Sequence, residues 1–427
     1  MVASNIPFDN ANFTLDSSGV AGFFGGDEVI SAMGTVHFYR GRRWLGWYNS
    51  PGSYTVAKTY GRLANGKFWN GLFPGGDTEP NGFLGLDGEI GPAFIATHSG
   101  TKMGKTGHIA SLMWNECQSS KQAEMKESDL MTVKEPAAEV PKPTCAVVIA
   151  NLPPLQVKPR LHRPWQSWIA ALPIISSAAP AVACAYYRDW FCFSMIALGM
   201  FCSGVACLSV GLGSLSFVRP KPAEGSPPGD GVFHAGPDFM VVRGEEGSVN
   251  AITRGAFSLK LYGAPANNLI GACALLLIVQ FFLQLLVIPQ GSLFGQIMFL
   301  VTFGCSWVYN CWLSSIDKGE LQTGILVEEV LGMKRSDFKR YAFLKRTTAV
   351  VFLMLVLQPR EKEMLLDELL PNNTGVWRKW KEEILRQVDG TKAFSFPPND
   401  LGDPLLDSLY EYAHNAFAMY KDYKDKL

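Results

Sequence analysis

Long apolar stretches dominate the middle of the chain. No charged residue occurs between positions 190 and 218, or between positions 261 and 316. A helix needs about 20 apolar residues to cross the hydrocarbon of a bilayer, and four segments reach about that length. The pattern therefore predicts four membrane-spanning helices, at residues 168–187, 190–212, 269–288 and 293–313.

The four predicted spans pair into two helical hairpins. Only Arg188 and Asp189 separate the first span from the second, and the sequence Pro289-Gln290-Gly291 provides a turn between the third and the fourth. The alternative is a set of core helices in a large soluble protein, but uncharged helices of this length are rare in such proteins. We therefore expect a mainly α protein built on a four-helix transmembrane bundle.

A fifth apolar run, Thr347–Leu357, has eleven residues and follows Lys345 and Arg346. It is too short to cross a bilayer as a helix. We interpret it as an interfacial or re-entrant helix, or as a helix packed beneath the bundle. If it were a true span, the C-terminus would lie on the other side of the membrane.

Basic residues mark one side of the predicted membrane. The loop between spans one and two carries only Arg188, and the loop between spans three and four carries no Lys or Arg. Because Lys and Arg accumulate in cytoplasmic loops, both termini and the middle loop are expected in the cytosol. The sequons at Asn12 and Asn372 would then stay unmodified. The basic residues on the predicted cytosolic side are Lys158, Arg160, Arg163, Arg219, Lys221, Lys260 and Lys318.

The remaining segments differ in composition. Residues 1–118 are rich in Gly and aromatic residues without a lasting helical period. This predicts an irregular, β-poor segment, which is either a small unit with short strands or partly disordered. Hydrophobic periodicity after the last span predicts an amphipathic helical tail. The predicted boundaries are an N-terminal cytosolic segment at 1–118, a linker at 119–163, hairpin one at 164–218, a cytosolic loop with a small β element at 219–266, hairpin two at 267–316 and a cytosolic tail at 317–427.

Uncharged polar side chains form a stripe on spans three and four. Counting outward from the turn, Gln284 is level with Gln296, and Gln280 is level with Thr302. We expect each pair to form an interhelical hydrogen bond worth about 0.6 kcal/mol, and a substrate path is the alternative interpretation. The predicted spans hold no Asp, Glu, Lys, Arg or His, the residues that proton and ion pathways use. The polar stripe consists of Gln280, Gln284, Gln296, Thr302, Ser306 and Asn310.

One short segment is similar to a phosphate-binding loop. Gly104, Lys105 and Thr106 match the end of the G-x-x-x-x-G-K-[ST] pattern, whose glycines let backbone amides surround a phosphate. Ser99 stands where the first glycine belongs, and no alternation of strands and helices follows that would build a parallel sheet. A basic surface loop is the competing interpretation.

Composition excludes several classes of protein. Lys and Arg total 38, as do Asp and Glu, and this balance argues against a nucleic-acid-binding protein. Seven of the nine cysteines lie in apolar stretches, where a free thiol behaves as a small hydrophobe. Neither the cysteines nor the histidines have metal-site spacing. The sequence therefore indicates no catalytic residue, no metal and no cofactor, and predicts a protein that is not an enzyme.

Two stretches carry a resemblance to a known group. They are GDGVFHAGPDFMVVRGEEGSVNAITRGAFSL at 229–259 and IPQGSLFGQIMFLVTFGCSWVYNCWLSSIDKGELQTGILVEEVL at 288–331. Together with the spans, they resemble uncharacterised multi-pass membrane proteins of mushroom-forming (basidiomycete) fungi, over roughly residues 160–360. That group has no assigned activity, so the resemblance implies a membrane protein and supplies no catalytic residue.

Three functions are compatible with these patterns. The first is a non-enzymatic membrane scaffold or accessory subunit, which would bind a protein partner or self-associate through its helices within the lipid bilayer. The second is a small-solute channel or transporter that uses the polar stripe. The third is a membrane-tethered nucleotide-binding protein that uses the loop near Gly104.

Overall fold

In the computed structural model the chain forms two compact units, each assembled from separate stretches of sequence. The helical unit consists of Met1–Asp87, Leu161–Ser216 and Phe257–Ile325, and the sheet unit consists of Gly88–Arg160, Phe217–Ala256 and Leu326–Leu427. The structure describes residues 6–8, 26–75, 79–119, 125–126, 143–155, 163–164, 168–260, 263–389, 392–398 and 402–426.

The elements are numbered along the chain. The α-helices are α1 Asp27–Gly34, α2 Tyr54–Gly61, α3 Lys67–Leu72, α4 Pro80–Phe83, α5 His108–Ser119, α6 Trp168–Tyr186, α7 Trp190–Gly211, α8 Glu246–Thr253, α9 Gly263–Val287, α10 Leu293–Ser314, α11 Lys318–Gly324, α12 Arg346–Leu357, α13 Lys362–Leu369, α14 Gly375–Gln387 and α15 Pro404–Asp425. The strands are β1 Tyr39–Arg40, β2 Ala93–Ala96, β3 Lys102–Met103, β4 Met125–Lys126, β5 Cys145–Asn151, β6 Arg163–Pro164, β7 Ser214–Val218, β8 Gly231–Ala235, β9 Asp238–Arg243, β10 Ala256–Lys260 and β11 Phe338–Phe343.

The helical unit contains four helices that are long and apolar enough to cross a membrane, as the hydrophobic pattern predicts. These four apolar helices are α6, α7, α9 and α10. Helix α7 packs against α6 and α9, and α10 packs against α6. The predicted ends agree within a few residues, except that α9 begins earlier than the apolar run because its first turn is polar and Gly/Pro-rich.

A single carboxylate joins the tips of the two hairpins. Asp189 caps the first turn of α7, where its Oδ1 accepts a hydrogen bond from Cys192 N at 3.1 Å. Its Oδ2 accepts bonds from the backbone N and the hydroxyl of Ser292, at 2.8 and 2.6 Å. Because Ser292 caps α10, one buried charge orders the N-terminal ends of two apolar helices.

The N-terminal segment is divided between the two units, which corrects the predicted boundary at residue 118. Residues up to Asp87 belong to the helical unit, where α1 packs against α10 and α2 packs against α9. Residues from Gly88 onward belong to the sheet unit. The sequon at Asn12 lies outside the described residues.

The sheet unit is built on a seven-stranded sheet with the order β3-β2-β8-β9-β5-β11-β4. Strand β5 pairs in parallel with β9 and antiparallel with β11. Its sequence CAVVIAN is buried at every position except the last, as expected for a strand covered on both faces. This central strand lies within the predicted linker at 119–163, so the linker prediction is wrong there. Residues 120–124, 127–142 and 156–162 lie outside the described residues.

The fifth apolar run forms α12, and every residue from Thr347 to Leu357 is buried. The helix packs between the sheet and α15, and the ring of Phe352 lies 5.2 Å from Tyr341, 5.1 Å from Phe343 and 6.1 Å from Tyr423. A helix that is apolar all round belongs either in a protein core or in a membrane, and here strands of the sheet and α15 cover it along its whole length. The interpretation as an interfacial, re-entrant or spanning segment is therefore wrong.

The predicted tail at 317–427 and the predicted loop at 219–266 are likewise not independent pieces. From Leu326 onward the tail supplies β11 and the helices α12 to α15 of the sheet unit. The loop supplies the paired strands β8 and β9. Sheet pairing joins residues far apart in sequence, and hydrophobic periodicity within one segment does not reveal it.

Removing the ring at the centre of this core tests the role of α12. We expect Phe352→Ala to destabilise the sheet unit by about 3–5 kcal/mol, because it leaves a cavity among three aromatic rings. Hydrogen exchange of the β11 amides measures this loss. Leu405→Ala removes a side chain on α15 that is 44% exposed and is the control that should leave exchange unchanged. Equal protection in both variants would contradict the packing.

Candidate functional site

The polar stripe of α9 and α10 faces the interior of the helical unit. Each of its side chains is at most 8% exposed, and Thr302 and Ser306 are fully buried. A buried amide or hydroxyl needs a hydrogen-bond partner, so the position of these groups raises the question of what they bind. The members of the stripe are Gln280, Gln284, Gln296, Thr302, Ser306 and Asn310.

Their main partner is a non-helical stretch at residues 45–53, which lies between the 3₁₀ turn Arg42–Trp44 and helix α2. We call residues 42–61 the re-entrant segment, because the chain runs inward along α7 and then returns. On the way in, Gly46 contacts Cys207 and Asn49 contacts Gly199, near the middle of α7.

Helix α2 carries the chain back toward the same end of α7. The hydroxyl of Tyr60 donates a hydrogen bond to the carbonyl oxygen of Ala206 at 2.8 Å and lies 2.5 Å from the Ser209 hydroxyl. Both partners are nearer the C-terminal end of α7 than Gly199 is. The segment therefore reaches about half the length of the apolar helices before it turns back.

Helix side chains satisfy the backbone of this inserted stretch. Gly52 N donates to Gln284 Oε1 at 2.9 Å, and Gln280 Nε2 donates to Ser50 O at 2.7 Å. Asn49 N donates to the Ser177 hydroxyl of α6 at 2.9 Å. In addition, the Ser306 hydroxyl donates to Asn49 O. Without such partners, non-helical backbone inside an apolar bundle would be strongly destabilising.

Two side chains of the segment add direct contacts to the stripe. Asn49 Nδ2 donates to Thr302 Oγ1 at 2.7 Å, and the Tyr48 hydroxyl donates to Asn310 Oδ1 at 2.9 Å. The tip of the re-entrant segment thus contacts α6, α9 and α10 through hydrogen bonds. Through these bonds the segment links three of the four apolar helices.

The predicted interhelical pairs are wrong in detail. Within the described residues, no hydrogen bond joins Gln284 to Gln296 or Gln280 to Thr302. Gln296 instead donates to Gly291 O at 3.1 Å, next to the turn. The prediction failed because it treated the hairpin as a pair of helices alone, whereas the backbone of the re-entrant segment takes up the same polar groups.

Glycines allow the segment to approach the helices closely. A Cβ atom at Gly199 would overlap Asn49 Oδ1, and one at Gly204 would overlap the Trp47 ring. A Cβ atom at Gly52 would lie 2.5 Å from Phe281 N. Small residues on apolar helices are known to permit such backbone contact. Here they accommodate a loop instead of another helix.

Some polar atoms at the tip have no partner. Within the described residues, Asn49 Oδ1, Gln280 Oε1 and Gln284 Nε2 are buried without a hydrogen bond. The segment also borders a cavity of about 40 Å³, lined among others by Arg42 and Ser50. A water molecule needs about 10–15 Å³, so this cavity is large enough for small polar molecules only.

The buried Arg42 lies beside this cavity. Its side chain is 2% exposed, its Nη1 lies 3.9 Å from Cys207 Sγ, and its guanidinium lies 5.6 Å from the centre of the Tyr309 ring. An ionisable group inside an apolar bundle is costly and frequently functional. The sequence analysis did not single out this residue, because it lies outside the predicted spans.

The predicted phosphate-binding loop does not have the required geometry. Strands β2 and β3 form an antiparallel hairpin, so residues 99–103 contain a turn and a short strand where the loop should be. Lys105 and Gly104 lie in a bend before α5, and the Thr106 hydroxyl donates to Pro92 O at 2.6 Å. A phosphate loop connects a strand to a helix that starts at its Lys and Ser/Thr, which is not the arrangement here.

The sheet unit has a polar cluster of its own, next to the start of β8. Asp230 Oδ1 accepts a hydrogen bond from Gly244 N at 2.8 Å, and its Oδ2 lies 3.8 Å from both His98 Nε2 and Arg243 Nε. An open cleft of about 710 Å³ lies beside it. The carboxylate mainly fixes the turn after β9, since its short contact is to backbone. Among the described residues, no group of three or more His, Cys, Asp or Glu side chains could hold a metal ion.

Comparisons with family models, curated proteins and solved structures find no match to this chain. The resemblance to fungal multi-pass membrane proteins therefore stays a prediction.

Sequence reasoning missed the residues at the tip of the re-entrant segment. A usable signal was present in Asn49-Ser50-Pro51-Gly52, a strong breaker sequence between aromatic residues. A second signal was the set of glycines on α7, because glycine on one helix face indicates a close neighbour. Neither signal shows which residues of the helices contact the segment.

A glycine substitution tests whether the segment lies against α7. We expect Gly199→Ala to lower stability by about 1–3 kcal/mol, because the new methyl group displaces the Asn49 side chain. Thermal unfolding in detergent measures stability, and trypsin cleavage after Arg42 measures release of the segment. Gly304→Ala is the matched control, since a Cβ atom there meets nothing within 4 Å. If both variants melt and resist trypsin alike, the close approach at Gly199 is refuted.

Proposed function

We propose that this is an integral membrane protein whose helical unit crosses the bilayer four times and acts as a non-enzymatic scaffold or accessory subunit. The observation that carries the proposal is that the polar stripe binds another part of the same chain. The buried polar groups of the apolar helices hold the re-entrant segment, and thereby stabilise the bundle itself.

The outer surface of the four apolar helices supports membrane insertion. Large hydrophobic side chains on this surface are more than a third exposed, which a water-soluble surface rarely tolerates over such a length. Lipid would cover them, while the polar groups remain inside. The exposed side chains include Leu172, Ile175, Val182, Phe201, Val279, Phe282, Leu286, Val301 and Val308.

Aromatic residues at the helix ends fit the same arrangement. Trp168 and Tyr186, at opposite ends of α6, are both 71% exposed. Trp190 at the start of α7 is 58% exposed. Amphipathic rings favour the headgroup level of a bilayer, and their separation along α6 suits one crossing.

The proposed topology has both termini in the cytosol, from the distribution of Lys and Arg. We expect a glycosylation sequon carried by a long hydrophilic insert at Gln290 to be modified in microsomes, because that loop would face the lumen and the insert holds the sequon away from the membrane surface. The native sequon at Asn372 should stay unmodified and is the internal control. Modification at Asn372, or none at position 290, would contradict this topology. Gel mobility before and after enzymatic deglycosylation measures it.

A second candidate function is passage of a small uncharged solute along the re-entrant segment. The unpartnered amide atoms at its tip favour this candidate, because they offer both donors and acceptors at mid-depth. A partner protein or self-association remains part of the first proposal. Nucleotide binding near Gly104 has no structural support, because β2 and β3 form a hairpin where a phosphate-binding loop would have to be.

Osmotic shrinkage of proteoliposomes in glycerol distinguishes the two candidates. As a scaffold, the protein should leave the vesicles no more permeable than empty ones. Faster solute entry, abolished by Gln280→Leu/Gln284→Leu and retained in Gln296→Leu, would establish the second candidate instead. The double variant also leaves Gly52 N and Ser50 O without partners, so it should lose about 1–3 kcal/mol of stability per group.

A further inference from the structure

A basic cleft opens at the C-terminal end of α7. Its volume is about 490 Å³. Residues 36–37, 39–41 and 43–44 form one wall, and residues 211–214 form the other. All of these residues belong to the helical unit. The cleft therefore lies where one of the four apolar helices ends, which is the headgroup level if that helix spans a bilayer.

Two arginines of the cleft point outward. Arg40 and Arg43 are exposed, whereas Arg42 between them is buried. Gly41 has a φ of 84°, a left-handed conformation that favours glycine and turns the chain between the two exposed side chains. Among the described residues, no ion pair involves Arg40 or Arg43. Their guanidinium groups are thus available to an external anion.

Apolar and aromatic groups adjoin these charges. Trp44 is 55% exposed, and its ring lies 5.3 Å from the Arg43 guanidinium carbon. Leu212 on the opposite wall is 51% exposed. A cationic cleft flanked by an exposed Trp and an exposed Leu presents one surface to a charged headgroup and another to hydrocarbon.

The charge of the cleft selects an anion. No acidic residue is among the described residues that line it. The C-terminal end of α7 contributes a weak partial negative charge, which two full positive charges exceed. Guanidinium groups bind phosphate through paired, charge-assisted hydrogen bonds, and basic pockets at the ends of membrane helices suit anionic lipid headgroups.

We propose that this cleft binds the phosphate headgroup of an anionic phospholipid, with Arg40 and Arg43 on the phosphate and Trp44 and Leu212 against the start of the acyl chains. The proposal rests on insertion of α7 into a membrane, and it holds for either function proposed above. The bound lipid would order residues 40–44, where the re-entrant segment begins.

The test uses the full chain in a neutral detergent and short-chain, soluble phospholipids. Native mass spectrometry compares binding of phosphatidylserine with binding of phosphatidylcholine. We expect phosphatidylserine to bind more tightly, and Arg40→Gln/Arg43→Gln to weaken it by roughly tenfold or more. Arg188→Gln is the matched control, since it removes an exposed arginine at the other end of α7. Added salt should weaken the binding in the wild type.

Several results would overturn the proposal. They are equal binding of the two lipids, unchanged binding in the double variant, or an equal loss of binding in the Arg188→Gln control. Equal competition by inorganic phosphate would also overturn it, because it would indicate a site for free phosphate. Arg40→Lys/Arg43→Lys keeps the charge and should retain part of the affinity, which separates a binding defect from misfolding. Failure of membrane insertion would show independently, as extraction of the wild type by alkaline carbonate.

Discussion

The helical unit depends on one constraint, which is that every backbone amide and carbonyl buried among apolar helices needs a hydrogen-bond partner. Among the described residues, Gln280 and Gln284 of α9 form no hydrogen bond to another apolar helix, and Ser50 O and Gly52 N have no partner within their own segment. Each set satisfies the other, as the bonds from Gly52 N to Gln284 and from Gln280 to Ser50 O show. The bundle and its re-entrant segment therefore stabilise each other.

This mutual dependence explains several otherwise unrelated features. The glycines of α7 admit Trp47 and Asn49, and the aromatic residues of the N-terminal segment pack on apolar helices instead of forming a separate domain. The sheet unit builds its core from its own residues. There α12, an apolar helix too short to span a membrane, lies between the sheet and α15 and is buried throughout.

Local patterns predicted the four apolar helices, because their length and their lack of charge are properties of one continuous stretch of sequence. They singled out the polar stripe, yet assigned the wrong partners, since Asn49 and Gly52 lie far away in sequence from Gln280 and Gln284. The sheet was missed for the same reason, because β5 pairs with β9 and β11 across long separations. The sequence contains Arg40 and Arg43, but only the fold shows that they are exposed and lie at the end of α7.

Hydrogen exchange of the full chain in lipid nanodiscs tests the central claim most directly. The amides of residues 46–53 belong to no helix or strand, so in a solvent-exposed loop they would exchange within seconds. If they are bonded to helix side chains inside the bundle, the amides of Asn49 and Gly52 should be protected about as strongly as those at the centres of α7 and α10. Rapid exchange at both positions, with the four helices still protected, would contradict the account.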